Sequence, residues 1–249
     1  MVEPRPATCR SHLSMRIPKP GIDGRYTWLL AGLLLLLIVG PLVGRFEIIG
    51  GGLYIGDFIL VMVLLVAVRA FFREHHHFLI CLSLAVLAVI GGSIARALSD
   101  DAAVASRVVG HAAEAGLLGY MTLLIGRDIF TTDDVDTDTI CGAVSVYLLI
   151  AATFAVIFTI LETLDPTAFR LPSDIRIPDA SLGPDRLMAY FSIVTITTVG
   201  YGDITPKAEM ARSLANLEAL LGQVYLTVLV ARLVGRNLTQ SFEKKRSQE

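Results

Sequence analysis

The sequence predicts an all-α integral membrane protein. Three observations support this: an apolar excess, long charge-free runs, and one helix too short to cross a bilayer. Of 249 residues, 54% are apolar and 18% charged, against about 45–50% and about 25% in soluble domains. Residues 26–44, 75–95 and 139–161 contain no Asp, Glu, Lys or Arg. Because about 20 apolar residues cross the hydrocarbon core as a helix, each run is long enough to span a membrane.

Three further spans carry isolated charges and complete a set of six. The second is weakened by Asp57 near its start, and the fourth contains Arg107, His111 and Glu114. The six predicted spans lie at about residues 27–43, 53–72, 78–98, 103–125, 140–161 and 208–234.

Composition also excludes several other classes of protein. The 21 basic and 23 acidic residues give a net charge of −2, which argues against a nucleic-acid partner. The high apolar fraction excludes a wholly disordered chain. Cys9, Cys81 and Cys141 show no paired spacing, so neither a disulfide framework nor a zinc site is expected.

A short helix is predicted at residues 184–197, between the fifth and sixth spans. Pro184 suits the first helical position, and Asp185 complements the positive end of the helix dipole. Fourteen residues rise only about 21 Å, less than the roughly 30 Å hydrocarbon core. The helix is therefore expected to be re-entrant.

A non-helical segment with two glycines follows this helix, and residues 197–203 read TTVGYGD. Such backbone survives at membrane depth only when it is buried in protein or lines a water-filled path. Gly200 and Gly202 permit backbone angles that let successive carbonyls face one side. There they can replace the hydration shell of a cation, with the Thr198 hydroxyl adding an oxygen. The alternative is a glycine-rich turn between helices.

Residues 198–202, here named the TVGYG segment, resemble the selectivity filter of potassium channels. The order of span, polar turret, short helix, TVGYG segment and span resembles the pore module of the two-transmembrane ion-channel type, within bacterial six-transmembrane potassium channels. The resemblance covers about residues 139–236. It divides the chain into an N-terminal tail (1–26), a four-helix transmembrane bundle (27–126), an acidic linker (127–139), a pore domain (140–236) and a C-terminal tail (237–249).

The resemblance implies a homotetramer, because one filter strand cannot surround an ion. Potassium ions would be coordinated by oxygens of Thr198, Val199, Gly200 and Tyr201, and Gly202 would complete the strand. Conduction would be passive, with no enzymatic activity and no cofactor besides the permeant ion. The alternative is a non-conducting membrane sensor or regulatory subunit built on a channel scaffold.

The resemblance also assigns residues around the filter. Asp203 would lie at the outer mouth, and Thr197 would support the strand. Tyr190 would brace the filter by a hydrogen bond to Asp203, or would be a packing aromatic. Glu162 would buttress the loop after the filter, or would be a solvated helix-end carboxylate. Val194 occupies a position where some bacterial channels carry a carboxylate, so a buried carboxyl pair behind the filter is not expected.

In the last span, Gly222 matches a glycine that serves similar channels as a hinge. Close helix packing is the alternative. Four residues at helical spacing would line the inner cavity or would face the fifth helix, and the end of that stripe could close the pore by dewetting. These residues are Gln223, Leu226, Val230 and Val234.

Six spans with the pore in the last two resemble the voltage-gated channel plan, but the fourth span lacks the regular arginines that a voltage sensor requires. Its ionisable residues form either a structural network or a sensor; the candidate members of the bundle are Asp57, Arg96, Arg107, His111 and Glu114. The distribution of basic residues favours termini that are both cytoplasmic. The expected location of the protein is the inner or plasma membrane. The gating stimulus (voltage, pH, lipid or a separate regulatory partner) stays open.

Overall fold

The computed structural model describes residues 24–43, 75–98, 101–132, 136–171 and 184–246. These residues form six helices and a two-stranded sheet. Outside them lie the predicted second span, most of the predicted turret, most of the N-terminal tail and the end of the C-terminal tail. The elements are α1 (Arg25–Val43), α2 (His75–Ala97), α3 (Asp101–Thr131), α4 (Thr137–Leu164), β1 (Phe169–Arg170), α5 (Pro184–Ile196), β2 (Thr205–Pro206) and α6 (Glu209–Arg246).

Within the described residues, four helical segments are long and apolar enough to cross a membrane. They are His76–Ala95, Asp101–Thr131, Thr137–Leu164 and Glu209–Arg232. The apolar part of α1, Arg25–Ile38, is shorter. The chain is therefore a mostly helical, multi-pass membrane protein. α5 has 13 residues and rises only about 20 Å, so it is too short to cross the hydrocarbon core.

Helices extend into both ends of the segment expected to be an acidic linker. α3 continues to Thr131, and α4 begins at Thr137. Asp136 is the N-cap of α4, and its carboxylate accepts a hydrogen bond from the Thr139 amide at 2.8 Å. Hydrogen bonds from the Thr139 hydroxyl and amide lower the pKa of Asp136. This carboxylate therefore satisfies a first-turn donor of α4.

Two more aspartates of that segment anchor α1. Asp138 accepts from the amide and hydroxyl of Thr27 at 2.8 and 2.9 Å. The Tyr26 hydroxyl donates to Asp128 at the end of α3. The start of α1, the end of α3 and the start of α4 consequently meet at one end of the molecule.

One hydrophobic core lies where α3 packs between α2 and α4. Fully buried residues of α3 recur every three or four positions, as expected for a helix that buries one face. Leu29 and Leu33 of α1 and Cys81 and Ala85 of α2 join the same core. The central residues of α3 and α4 are Leu117, Leu118, Met121, Ile125, Val146 and Leu149.

Glycines allow α2 and α3 to approach closely. A Cβ added at Gly91 would lie 2.7 Å from the Gly110 Cα. The Ser106 hydroxyl also donates to the Gly91 carbonyl at 2.8 Å. Small residues at such crossings let helix backbones approach within a membrane.

A second core joins α4, α5, α6 and the small sheet, and it is the core that positions α5. Phe158, Phe169 and Phe191 form three edge-to-face pairs with ring centroids 5.1, 5.3 and 5.7 Å apart, an arrangement that aromatic rings favour. β1 pairs antiparallel with β2, with Phe169 opposite Pro206. The sheet therefore ties the end of the α4 connection to the chain that follows the TVGYG segment.

We expect Gly91→Ala to destabilise the protein, because the added methyl would meet backbone atoms of α3 that cannot rotate away. Overpacking of this kind costs about 1–3 kcal/mol, or a fall in Tm of roughly 3–10 °C for a chain of this size. Thermal unfolding of the purified protein in detergent measures it. Gly116→Ala, at the same helix pair, is the matched control, since its Cβ would meet Leu84 at an ordinary 3.8 Å. Equal Tm values for the two variants would contradict the close contact.

Candidate functional site

The backbone of the TVGYG segment alternates in handedness. Thr198, Gly200 and Gly202 have φ angles of 58°, 57° and 79°, whereas Val199 and Tyr201 between them have none in the positive range. In an ordinary strand, successive carbonyls point to opposite sides; left-handed residues at every second position change that alternation. Glycine adopts such angles at little cost.

Hydrogen bonds from the last turn of α5 hold the start of this segment. The Thr198 amide donates to the Thr195 carbonyl at 2.9 Å. The Val194 carbonyl accepts from the amides of Val199 and Gly200 at 3.0 and 3.3 Å. Thr198 is β-branched, so its positive φ is strained by about 1–3 kcal/mol and persists only where surrounding contacts enforce it. These amide bonds provide that enforcement.

In a single chain, the large side chains of the segment are exposed. Val199 is 52% exposed and Tyr201 is 71% exposed. A Cβ added at Gly200 or Gly202 would meet nothing within 4 Å. Within the described residues, no other element therefore covers this side of the segment.

At the C-terminal end of the segment, Tyr190 and Asp203 are hydrogen-bonded, as the sequence suggested. The Tyr190 hydroxyl donates to Asp203 at 2.7 Å, and the Ile204 amide donates to the same carboxylate at 2.9 Å. The bond from Tyr190 holds the pKa of Asp203 below its usual range. Tyr190 also stacks parallel to Tyr201, with ring centroids 6.5 Å apart. Asp203 is therefore held as an anion in a defined position.

Two other predicted support residues make local contacts. The Thr197 hydroxyl donates to the Ile193 carbonyl at 2.6 Å, so it caps the end of α5. The Glu162 carboxylate accepts from the backbone of Phe169 in β1, and β1 pairs with β2 after the TVGYG segment. Glu162 thus contacts the loop after the segment only through the sheet.

Gly222 is a point of close packing. A Cβ there would lie 2.6 Å from the Ile196 side chain and 3.0 Å from the Ile196 carbonyl oxygen. α6 therefore crosses the last turn of α5 at a distance that only glycine allows. This contact accounts for the packing alternative, and the hinge stays a prediction.

The predicted cavity residues share one face of α6. Gln223, Leu226, Val230 and Val234 are all exposed in the single chain. Tyr225 and Leu229, between them in sequence, pack instead against the core of α3 and α4. The stripe therefore does not face the fifth predicted span, α4.

The bundle residues are only partly brought together. His111 lies 3.4 Å from the Glu114 carboxylate and 3.8 Å from that of Asp185 in the first turn of α5. The charge of Arg107 also acts on Asp185. Asp57 and the side chain of Arg96 lie outside the described residues. No sequence pattern indicated that Asp185 would be the partner of His111, because 74 residues separate them in the chain.

The sequence analysis also did not predict the polar contacts behind α5. The Tyr147 hydroxyl of α4 donates to the Ile196 carbonyl at 2.8 Å, and the Tyr225 hydroxyl of α6 donates to the Ala143 carbonyl at 2.7 Å. Glu218 of α6 is fully buried and bonded to Ser192 of α5. In the sequence, Glu218 is a lone polar residue on an apolar helix, and this pattern does not indicate which residue it contacts.

Arg232 joins the lower part of α6 to the end of α3. Its guanidinium donates to the carbonyls of Ile129 and Thr132, the latter at 2.6 Å. It also lies over the Phe130 ring, 5.3 Å from the centroid. A cation is favourable there because the last carbonyls of a helix lack helical partners and carry partial negative charge.

Metal ligands do not converge in the part of the chain that the structure describes, where no group of three or more His, Cys, Asp or Glu side chains could hold an ion. In the histidine run at the start of α2, the His77 Nδ1 is hydrogen-bonded to the Tyr120 hydroxyl at 2.7 Å.

Comparisons with known proteins give a family match and several relatives. The family described as "Ion channel" matches residues 187–239. Protein LctB of Bacillus caldotenax and that of Geobacillus stearothermophilus are each 35% identical over 119 residues, or 47% of this chain and 87% of the relative. "Probable potassium channel protein 2" of Methanocaldococcus jannaschii is 39% identical over 56 residues, or 21% of this chain and 16% of the relative. The chain belongs to the family of these LctB proteins, and its residues 187–239 match the ion channel family.

Proposed function

We propose that this protein is a homotetrameric, potassium-selective channel that conducts K⁺ passively across the cell membrane. The observation that carries the proposal is the alternation of handedness at Thr198, Gly200 and Gly202, directly after a helix too short to span. A backbone of this kind can present successive carbonyls to a desolvated cation. The printed name of the M. jannaschii relative agrees with K⁺ as the ion.

The exposure of the TVGYG segment supports assembly from several copies. One strand offers oxygens from one side, whereas a K⁺ ion stripped of water needs them all around. The exposed side chains of Val199 and Tyr201 would be covered by neighbouring subunits. The C-terminal end of α5 carries partial negative charge, which favours a cation below the filter.

Helix directions support six spans with both termini in the cytoplasm. α1 starts beside the end of α3, where Tyr26 contacts Asp128. α2 starts beside the second half of α3, where His77 contacts Tyr120. If both starts lie on one side of the membrane, the chain between them would cross an even number of times, and α1 together with the span expected from the sequence at residues 53–72 would supply two crossings. Asp203 then lies on the outer side.

We expect Gly200→Ala to abolish most K⁺ flux in liposomes containing the purified tetramer. At φ 57° a Cβ costs about 1–2 kcal/mol per residue; summed over four subunits, this should lower flux at least about tenfold. Gly126→Ala, whose Cβ would meet only Val146 at 4.0 Å, is the control and should conduct normally.

Single-channel recording in K⁺ against Na⁺ tests the same proposal directly. Wild-type protein should pass K⁺ in strong preference to Na⁺. Absence of any current from correctly assembled wild-type protein would favour the non-conducting sensor. Flux that survives unchanged in Gly200→Ala would show that ions take another path.

We expect Tyr190→Phe to keep K⁺ selectivity but to change current decay and shift the acid limb of the current to higher pH. The Tyr190 hydrogen bond lowers the pKa of Asp203, so the mouth keeps its charge until the pH falls through that depressed value. Without the bond the pKa rises, and the charge is lost sooner on acidification. Recordings over a descending pH series measure this.

Asp203→Asn serves as the reference for this experiment, because it removes the charge at every pH and should remove the acid limb. An acid limb and a current decay identical in Tyr190→Phe and wild type would rule out a role for the bond in conduction.

A further inference from the structure

Glu218 is sealed inside a single chain, behind the helix that carries the TVGYG segment. Its exposed fraction is 0%, as is that of its partner Ser192. Since one chain already covers both side chains completely, no neighbouring subunit and no bulk water reaches the carboxyl group in this conformation. Whatever stabilises it must come from the residues around it.

Counting protons at Ser192 assigns the protonation state of this carboxyl group. The Ser192 hydroxyl oxygen is hydrogen-bonded both to Glu218 and, at 2.6 Å, to the Ala151 carbonyl of α4. A serine hydroxyl has one proton, and a backbone carbonyl can only accept. If Ser192 donates to Ala151, the proton in the other bond must come from Glu218.

The surroundings of Glu218 agree with a neutral acid. Its second oxygen is buried with no hydrogen-bond partner in the described residues, and no described Lys, Arg or His forms a salt bridge with it. A carboxylate left in that state would be buried without compensation, which proteins avoid by neutralising the group. Tyr147 of α4 is a titratable side chain close enough to interact electrostatically with Glu218. Its hydroxyl donates its proton to the Ile196 carbonyl and therefore not to Glu218.

We propose that Glu218 is a protonated carboxylic acid that positions the pore helix α5, through a relay in which Glu218 donates to Ser192 and Ser192 donates to Ala151. The relay links α6, α5 and α4 one turn before Ile196, where Gly222 sets the closest approach of α6. It thereby fixes the base on which the TVGYG segment stands. The effect on conduction rests on the proposed channel function; the protonation state does not.

The relay predicts that two substitutions of Glu218 differ in their effect on K⁺ flux. Glu218→Gln keeps a neutral side chain whose N–H can donate to Ser192, so K⁺ flux at neutral pH should stay within about twofold of wild type. Glu218→Leu fills a similar volume without a donor, and its flux should fall at least about tenfold. Glu209→Gln, on the exposed first turn of the same helix, is the matched control and should change nothing.

A pH profile distinguishes the relay from simple packing. Raising the pH should ionise Glu218, remove its donor and lower wild-type flux, whereas Glu218→Gln should be flat over the same alkaline range. Loss of flux in Glu218→Gln equal to that in Glu218→Leu, or an alkaline limb that persists in Glu218→Gln, would overturn the proposal.

Infrared spectroscopy reads the proton without requiring conduction. The difference spectrum of wild type minus Glu218→Gln should contain the C=O stretch of a protonated carboxylic acid at neutral pH. That band should shift in Ser192→Ala, in which the acid loses its acceptor. Absence of the band at neutral pH would overturn the proposal even if Glu218→Leu failed to assemble. A band present in a protein that conducts no K⁺ would uphold the relay while refuting the channel function.

Discussion

A backbone that is not helical must be enclosed by protein or face water when it lies at membrane depth, and the arrangement of α4, α5 and α6 follows from that constraint. The last turn of α5 satisfies the first amides of the TVGYG segment through the carbonyls of Thr195 and Val194. The C-terminal end of the segment is held by the bond between Tyr190 and Asp203. The sheet formed by β1 and β2 then fixes the chain that leaves the segment. Among the described residues, the side chains of Val199 and Tyr201 stay exposed.

Sequence reasoning succeeded where the evidence was local. The predicted spans agree with α1, α2 and α4 to within about three residues, whereas α3 and α6 continue beyond the predicted limits at residues 125 and 234. α5 ends one residue before the predicted limit of its helix. The bond between Tyr190 and Asp203 was within reach because the short helix and the strand after it fix their separation. Composition and spacing contain this information directly, since helix rise and side-chain order follow from the chain itself.

Partners distant in the sequence were not predictable in the same way. Nothing in a helix pattern states that Asp128 and Asp138 bind the start of α1, or that His111 meets Asp185. Val194 was correctly recognised as leaving no carboxyl group at its own position. A carboxyl group nevertheless lies behind α5, contributed by Glu218 of α6, 26 residues after Ser192 in the chain. Tertiary packing determines which distant residues form such contacts. A sequence pattern can identify one residue of the pair but not its partner.

The contact of Arg232 has a mechanical consequence for α6. A planar guanidinium that donates to two carbonyls in a fixed fork tolerates little sliding between its helix and the acceptors. Any bend of α6 beyond Gly222 that displaces Arg232 must therefore drag the end of α3 along or surrender both bonds in one step. Arg232 thus couples the lower half of α6 to the end of α3, so that neither can shift past the other without breaking these bonds.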